Sequence, residues 1–333
     1  MREGQKHPNQ SASGSAVARA RHRRGHHDAF IHRDHKLLPA PLNITGSSGM
    51  VLPAEIATAA ESGDPDAVRA WLDGKPDGGR ACINEYDEYG CTLLIACSMS
   101  ANQPDRRVAL ARLLLERGAD VNRCASDSHN DHLGRISPLH CASTDAIPNR
   151  DMLDLLLAAG GNCKARTSGG AGYIETPLGR LLRTVRSLNY VYGPGGNNFP
   201  SKVAALLRAG SELDDICVRA VSGASYMSAE NLLRQFHQFI NSIPGTNPTV
   251  IAGANEKCIE AGRMIQGVRS AGSWKAYIRR PHKDVCAVRG LVTKGFLAPP
   301  GGGSKYERAI AFLVKQGDNG IVWKVLSYWR ADN

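Results

Sequence analysis

The stretch from residue 105 to residue 142 constrains the fold more than any other part of the chain. It reads DRRVALARLLLERGADVN, then a loop, then RISPLHCA. Its first half predicts an amphipathic helix, because apolar side chains recur every three or four residues at Val108, Ala111, Leu114 and Leu115. Gly118 suits the end of this helix, since glycine adopts a left-handed backbone without steric cost. The second half contains Ser-Pro-Leu-His at 137–140, and part of that motif returns as Thr-Pro-Leu at 176–178.

Together these features resemble the ankyrin repeat, whose units pair two helices and a turn under a Thr-Pro-Leu-His signature. Three copies of the signature are recognisable, each with a substitution. Leu93 and Ile95 replace the proline and the histidine of the first copy, Ser137 replaces the threonine of the second, and Gly179 replaces the histidine of the third. The repeat-motif residues are Gly90, Thr92, Gly118, Ser137, Pro138, Leu139, His140, Gly160, Thr176, Pro177, Leu178 and Gly210.

The resemblance implies an all-α fold, an ankyrin-repeat solenoid built from helix-turn-helix repeats. We expect about four or five repeats at residues 50–243, with residues 216–240 forming two helices as the fifth unit. We expect a Pro/Gly-rich linker at 244–255 and a small helical C-terminal module at 256–333.

The spacing between signatures exceeds the period of the family. It is 45 residues from Thr92 to Ser137 and 39 residues from Ser137 to Thr176, against a period of about 33. We therefore expect insertions in the loops between helices, and such insertions tend to lie on one face of a solenoid.

Residues 1–49 are rich in Ser, Gly, Arg and His without a sustained apolar period, so we expect a disordered basic tail. Five histidines between positions 21 and 35 leave a metal site open as an alternative, although we expect no metal because a folded site needs supporting residues. Two further alternatives are an organelle transit peptide, suggested by the arginines, and translation from Met50 instead of Met1.

Basic charge is concentrated at the two ends of the chain. Residues 1–50 hold eight Lys/Arg against three Asp/Glu, and residues 256–333 hold fourteen against six. Nucleic acid or an anionic membrane would suit a basic end, but a solvated surface is the commoner reason for it. We therefore do not expect nucleic acid as the partner.

Nine cysteines without a CxxC pair predict free thiols in a reducing compartment, so we expect an intracellular protein, cytoplasmic or nuclear. No apolar run approaches the roughly 20 residues that span a bilayer, and no signal-peptide core follows the start. We expect a monomer that needs no cofactor.

The activity implied by the resemblance is binding, so we expect a non-catalytic scaffold whose partner is another protein. His140 is the best candidate for a catalytic histidine, but its equivalent in the family braces the turn, and no phosphate loop or nucleophile motif supports an enzyme. The long loop SLNYVYGPGGNNFP is either a contact surface or a tolerated insertion. The expected contacts, on the concave face and loop tips, are Asp87, Tyr89, Asp127, His129, Arg135, Tyr190, Tyr192 and Phe199.

The C-terminal module pairs SWKAYIRRP with a terminal VWKVLSYWR, which is similar to the tail of ankyrin-repeat proteins from microalgae and protists. Its aromatic residues either cap the solenoid or form a docking box for a ubiquitin ligase, which would make the protein a substrate adaptor. Stacking on single-stranded nucleic acid beside the cations Arg279, Arg280, Lys283 and Arg289 is a third alternative. The aromatic residues concerned are Trp274, Tyr277, Trp323 and Trp329.

Overall fold

The computed structural model of the chain describes residues 52–99, 102–126, 135–144, 150–167, 173–185, 198–219, 225–244 and 247–295, and Ala311. It is mostly helical, as the sequence predicts. The helices are α1 (Ala54–Ser62), α2 (Pro65–Asp73), α3 (Leu93–Ser98), α4 (Pro104–Glu116), α5 (Pro138–Ala142), α6 (Asp151–Ala158), α7 (Pro177–Thr184), α8 (Phe199–Arg208), α9 (Ala229–Ser242), α10 (Pro248–Ala271) and α11 (Trp274–Thr293). The strands are β1 (Tyr173–Glu175), β2 (Cys217–Arg219) and β3 (Ser225–Met227). None of the helices described here is long and apolar enough to cross a membrane.

The first ten helices form five pairs that stack in two layers. In the first layer α1, α3, α5, α7 and α9 each contact the next, and in the second layer α2, α4, α6, α8 and α10 do the same. Each odd-numbered helix also contacts the even-numbered helix that follows it. One contiguous apolar cluster runs through the stack, from Leu52 before α1 to Val268 in α10.

Four helices of the first layer begin in the same way. At the start of α3, α5, α7 and α9, a threonine or serine side chain accepts a hydrogen bond from the backbone N–H three residues later. Such a cap satisfies an N–H that has no partner inside the helix and contributes about 1 kcal/mol to stability. The cap residues are Thr92, Ser137, Thr176 and Ser228.

Helices α4, α6 and α8 of the second layer also share one kind of end. Gly118, Gly160 and Gly210 follow them with φ between 89° and 96°, the left-handed region that favours glycine. The N–H of the next residue then donates to the carbonyl five positions earlier, at 2.9–3.1 Å in all three cases. This is the Schellman arrangement, and it turns the chain out of the helix and into the following loop.

The fifth pair differs from the sequence prediction. The sequence predicts two helices at 216–240, but the described residues in this range form β2, β3 and most of α9. The expected linker at 244–255 is also wrong, because α10 begins at Pro248 inside it. Proline suits the first position of a helix, and the Asn247 side chain accepts from the Thr249 N–H at 2.9 Å. Residues 256–271, the beginning of the expected C-terminal module, therefore belong to the stack as part of α10.

Strands β1, β2 and β3 form an antiparallel sheet in that order, in which Ile174 lies opposite Val218 and Val218 lies opposite Tyr226. Strand β1 precedes α7, whereas β2 and β3 form a hairpin that precedes α9. The sheet therefore links the loops of two neighbouring helix pairs, which an all-α prediction does not anticipate.

Two buried cations close the C-terminal ends of first-layer helices. Arg107 of α4 donates from Nη1 to the Cys97 carbonyl in α3 at 3.0 Å. Lys202 of α8 donates from Nζ to the carbonyls of Ala142 and Thr144 at the end of α5, at 3.2 and 2.8 Å. The last carbonyls of a helix have no hydrogen-bond partner inside it and carry the negative end of its dipole. A cation there stabilises the helix both by donating hydrogen bonds and by its charge.

Helix α11 lies against α10 and α8 at the end of the stack. The ring of Tyr277 occupies the space where a side chain at Gly267 of α10 would have to lie. The ring of Trp274 lies 5.6 Å from that of Tyr277, and the Arg208 guanidinium is 5.8 Å from the Trp274 ring centroid. Both aromatic residues are partly buried against the main apolar cluster.

Candidate partner-binding surface

The loops that precede α3, α5, α7 and α9 bond to one another and form a continuous layer beside the helices. We call the described residues of 84–92, 119–137, 161–176 and 211–228 the finger layer. Between its first two loops, the Ser126 N–H donates to the Gly90 carbonyl at 2.9 Å and the Tyr86 hydroxyl to the Cys124 carbonyl at 3.1 Å. The sheet pairs β1 of the third loop with β2 of the fourth.

Two asparagines fasten successive loops in the same geometry. The Asn84 side chain accepts from the Asp120 N–H at 2.8 Å and donates to the Gly118 carbonyl at 3.4 Å. Asn122, one unit later, accepts from the Asn162 N–H at 2.8 Å and donates to the Gly160 carbonyl at 3.2 Å. Each amide thus holds the end of a helix in the next pair at a fixed distance from its own loop.

The turn of the first loop is built on Asp87. One carboxylate oxygen accepts from the backbone N–H groups of Tyr89 and Cys91, at 2.9 and 2.8 Å. Gly90 supplies a φ of 75° between them. Asp87 is buried, so the structure places it inside the turn and corrects its expected role as a partner contact. Its acidic side chain is needed for the turn geometry and leaves Glu88 and Tyr89 at the tip.

His140 connects the second loop to the third. Its Nδ1 lies 2.7 Å from the Ser137 hydroxyl, and its Nε2 lies 3.1 Å from the Glu175 carbonyl oxygen. The carbonyl can only accept, so Nε2 carries the proton and Nδ1 accepts from Ser137. Burial, aided by the charge of Arg180, lowers the pKa of His140 to about 4. His140 is therefore a neutral, fully buried brace at pH 7.

We expect this brace to make stability fall in mild acid. A histidine in the unfolded chain takes up a proton below about pH 6.5, whereas folded His140 stays neutral down to about pH 4. Because the unfolded state then binds more protons, the free energy of unfolding decreases by up to about 1.4 kcal/mol per pH unit across this interval. Urea unfolding at pH 6.5 and pH 5.0 measures the loss, and His140→Gln removes the titrating group. The native protein should lose about 2 kcal/mol more than the variant between these pH values. Equal losses in both proteins would refute the assignment.

A buried ion cluster lies beneath the third loop. Glu175 accepts from Nε and Nη2 of Arg183 at 2.6 and 2.8 Å and from Nη1 of Arg180 at 3.1 Å. Burial would raise the pKa of Glu175, but the hydrogen bonds and charges of the two arginines outweigh it and lower the pKa. The Arg183 guanidinium also lies 4.7 Å from the Tyr173 ring centroid. These contacts fix the direction of β1 as it enters α7.

The cluster replaces apolar packing that the first two loops use at the same position. Cys91 and Ile136 precede the cap residues of α3 and α5, as Glu175 precedes that of α7, and both belong to a small apolar cluster with Ile95 and Cys141. Burial raises the pKa of the Cys141 thiol to about 12, so it stays protonated and inert at pH 7. The finger layer is therefore stabilised by apolar packing beneath its first two loops and by the ion cluster beneath its third loop.

The structure divides the expected contact residues into three groups. Tyr89 is half-buried at the tip of its loop and Arg135 is exposed. Phe199 is a correction: it is fully buried, with its ring 5.9 Å from and nearly perpendicular to that of Phe236, so it belongs to the core between α8 and α9. Four contact residues and two of the C-terminal tryptophans lie outside the described residues: Asp127, His129, Tyr190, Tyr192, Trp323 and Trp329.

The finger layer also contains a surface residue that the sequence does not reveal. Tyr226 of β3 is 62% exposed, more than any other large apolar residue in the described part of the chain. The only local signal nearby is Ser228, a typical N-cap before the amphipathic run of α9, which marks the start of that helix but not the exposure of Tyr226. By contrast, every residue of α3 and α5 is buried, so these helices do not offer the inner surface that the resemblance implies.

Among the residues that the structure describes, no three His, Cys, Asp or Glu side chains come together as a group that could hold a metal ion. The described chain does contain a groove of about 440 Å³ on the second layer, lined in part by Arg69, Asp105, Arg112 and Glu116. No protein-family model matches the sequence, and no curated protein sequence matches it either.

Proposed function

We propose that the chain is an ankyrin-type solenoid and that it works as a non-catalytic scaffold, binding another protein through the finger layer. Three features support the ankyrin assignment: five helix pairs stack in two layers, one cap recurs at four helix starts, and one glycine turn ends three helices. The free cysteines suit a reducing compartment, so we place the scaffold inside the cell.

The observation that carries the binding proposal is the bonding within the finger layer. Each loop is held by its neighbour through backbone bonds, an asparagine amide or strand pairing. A loop that is already ordered loses little conformational entropy when a partner binds, so modest contact area yields useful affinity. Tyr89 and Tyr226 fit this use, because tyrosine offers a large contact area with a polar end.

The proposal differs from the general use of such arrays in one respect. Because α3 and α5 are buried along their whole length, we propose that the contacts in this part of the array come from the loops and not from the middle of these two helices. We also propose that Trp274 and Tyr277 act as an end cap, since both pack against the main apolar cluster at the end of the stack.

Affinity capture with the full chain tests the proposal. Glu88→Ala, Tyr89→Ala and Tyr226→Ala are combined in one protein, which removes side chains at both ends of the finger layer without touching the turn at Asp87. We expect the proteins captured by the native chain to be depleted about tenfold or more, as loss of two aromatic contacts costs upwards of 1.4 kcal/mol in binding.

The matched control combines Arg69→Ala, Arg112→Ala and Glu116→Ala on the exposed side of α2 and α4, where they line the groove. Circular dichroism verifies that both triple variants fold. The control should capture the same partners as the native chain. Depletion by the control with full capture by the finger variant would reject the finger layer and favour the groove.

A further inference from the structure

Helix α11 presents a basic face to solvent. Its buried side carries Trp274 and Tyr277 and packs against the stack, while five cations on the other side, within and just after the helix, are exposed. The only exposed acidic side chain among the described residues from 274 to 295 is that of Asp284. We call the five cations the α11 basic face: Lys275, Arg279, Arg280, Lys283 and Lys294.

The cations of the α11 basic face follow the helix repeat. Lys275, Arg279 and Lys283 are spaced at four-residue intervals, which places them on one side of the helix with a rise of about 6 Å between successive positions. From Lys275 to Lys294 the face extends over about 28 Å at the rise of an α-helix. Four of the five cations lie within residues 275–283, over about 12 Å of helix, and Lys294 follows about 16 Å further along.

None of the five cations forms an ion pair within the described part of the chain. The ion pairs found there join residues 64 to 269, and none involves a member of the α11 basic face. Arg269, at the end of α10, shows the contrast, because its guanidinium is held by Asp214 and Glu230. A line of unpaired cations on a rigid helix concentrates positive potential along one direction.

We propose that the α11 basic face binds nucleic acid through its phosphate backbone, as a second surface separate from the finger layer. A nucleic acid is a linear polyanion, and a duplex carries one charge per about 1.7 Å of its length, so several cations in a row engage phosphates at once. Backbone contact of this kind is independent of sequence.

Two observations set this proposal apart from the related alternatives. An anionic membrane would need apolar side chains to enter the lipid boundary, but among the α11 side chains whose burial the structure describes, Leu291 is the only large apolar one that is exposed. Base stacking would need exposed aromatic rings, but Trp274 and Tyr277 are turned into the stack. Contact with phosphate groups requires only exposed cations, which the α11 basic face has.

Fluorescence anisotropy with the full chain tests the proposal. The probes are a 30-base-pair duplex DNA of mixed sequence, a 30-nucleotide single-stranded RNA, and vesicles containing anionic phospholipid. We expect binding to the duplex at 50 mM salt, and an affinity that falls roughly a hundredfold by 200 mM salt, because about four phosphate contacts release their counterions. Preference for the RNA would keep the proposal and name the single strand as ligand.

Two triple variants with the same loss of charge decide where the nucleic acid binds. Lys275→Gln, Arg279→Gln and Lys283→Gln should weaken binding at least tenfold and flatten the salt dependence. Arg69→Gln, Arg106→Gln and Arg112→Gln remove three exposed charges from α2 and α4 and should leave both unchanged. Equal weakening by the two variants, unchanged binding in the α11 variant, or binding to vesicles alone would overturn the proposal.

Discussion

Replacing Gly179 by alanine should destabilise the protein, although the same change inside most helices stabilises them. Gly179 lies in the first turn of α7, and a Cβ atom there would overlap the carbonyl group of Ile216. That carbonyl already accepts from the Thr176 N–H at 2.9 Å, so it cannot retreat without breaking the start of the helix. We expect a loss of about 2–4 kcal/mol in the free energy of unfolding, measured by urea titration.

Gly253 offers a matched control in α10. It too lies inside a helix, but a Cβ atom there meets nothing within 4 Å. Gly253→Ala should therefore stabilise the protein by about 0.5–1 kcal/mol. Gly179→His, which introduces the histidine of the ankyrin signature, should destabilise the protein more than Gly179→Ala, because its side chain is larger. A neutral or stabilising Gly179→Ala would show that α7 and the fourth loop do not approach as closely as described.

Replacing Lys202 by methionine should cost about 2–4 kcal/mol in the free energy of unfolding. The Lys202 side chain is only 1% exposed, and methionine retains most of its apolar length. What the variant lacks is the ammonium group, so the carbonyls of Ala142 and Thr144 lose their donor in a buried place. Each buried acceptor left without a donor costs about 1–3 kcal/mol.

Lys164→Met provides the comparison for Lys202→Met. The Lys164 side chain is 56% exposed, and its Nζ lies 3.8 Å from Glu212. Exposed ion pairs of this kind contribute between 0 and about 1 kcal/mol to stability. The free energy of unfolding of this variant should therefore lie close to that of the native protein. Equal stability of the two variants in thermal and urea unfolding would mean that the hydrogen bonds from Lys202 to the end of α5 do not stabilise the protein.

The sequence locates the repeats where their local signals are strong. Thr92, Ser137 and Thr176 could be identified because a cap acts on the three residues after it, which lie together in the sequence. The cap at Ser228 is harder to recognise, because Ala229, Glu230 and Asn231 match none of the Pro-Leu-His positions of the signature. The start of α10 is also difficult to place from sequence. Pro248 is typical of a linker, but proline also suits the first turn of a helix.

The candidate surface is less accessible from sequence, because burial depends on partners that are distant in the chain. Phe199 looks like a loop aromatic until Phe236, in the next helix pair, is found against it. Glu175 looks like a surface acid until Arg180 and Arg183 are placed over it by the first turns of α7. Neither outcome follows from periodicity, which reports the face of a helix and not what lies opposite.

The most direct test of the central proposal is hydrogen exchange on the full chain, alone and with the partner that the capture experiment returns. If the finger layer is the binding surface, amides at 84–92 and 225–228 should exchange more slowly in the complex, while α2, α4 and α6 should be unchanged. Protection confined to those three second-layer helices, with the finger layer unaffected, would contradict it.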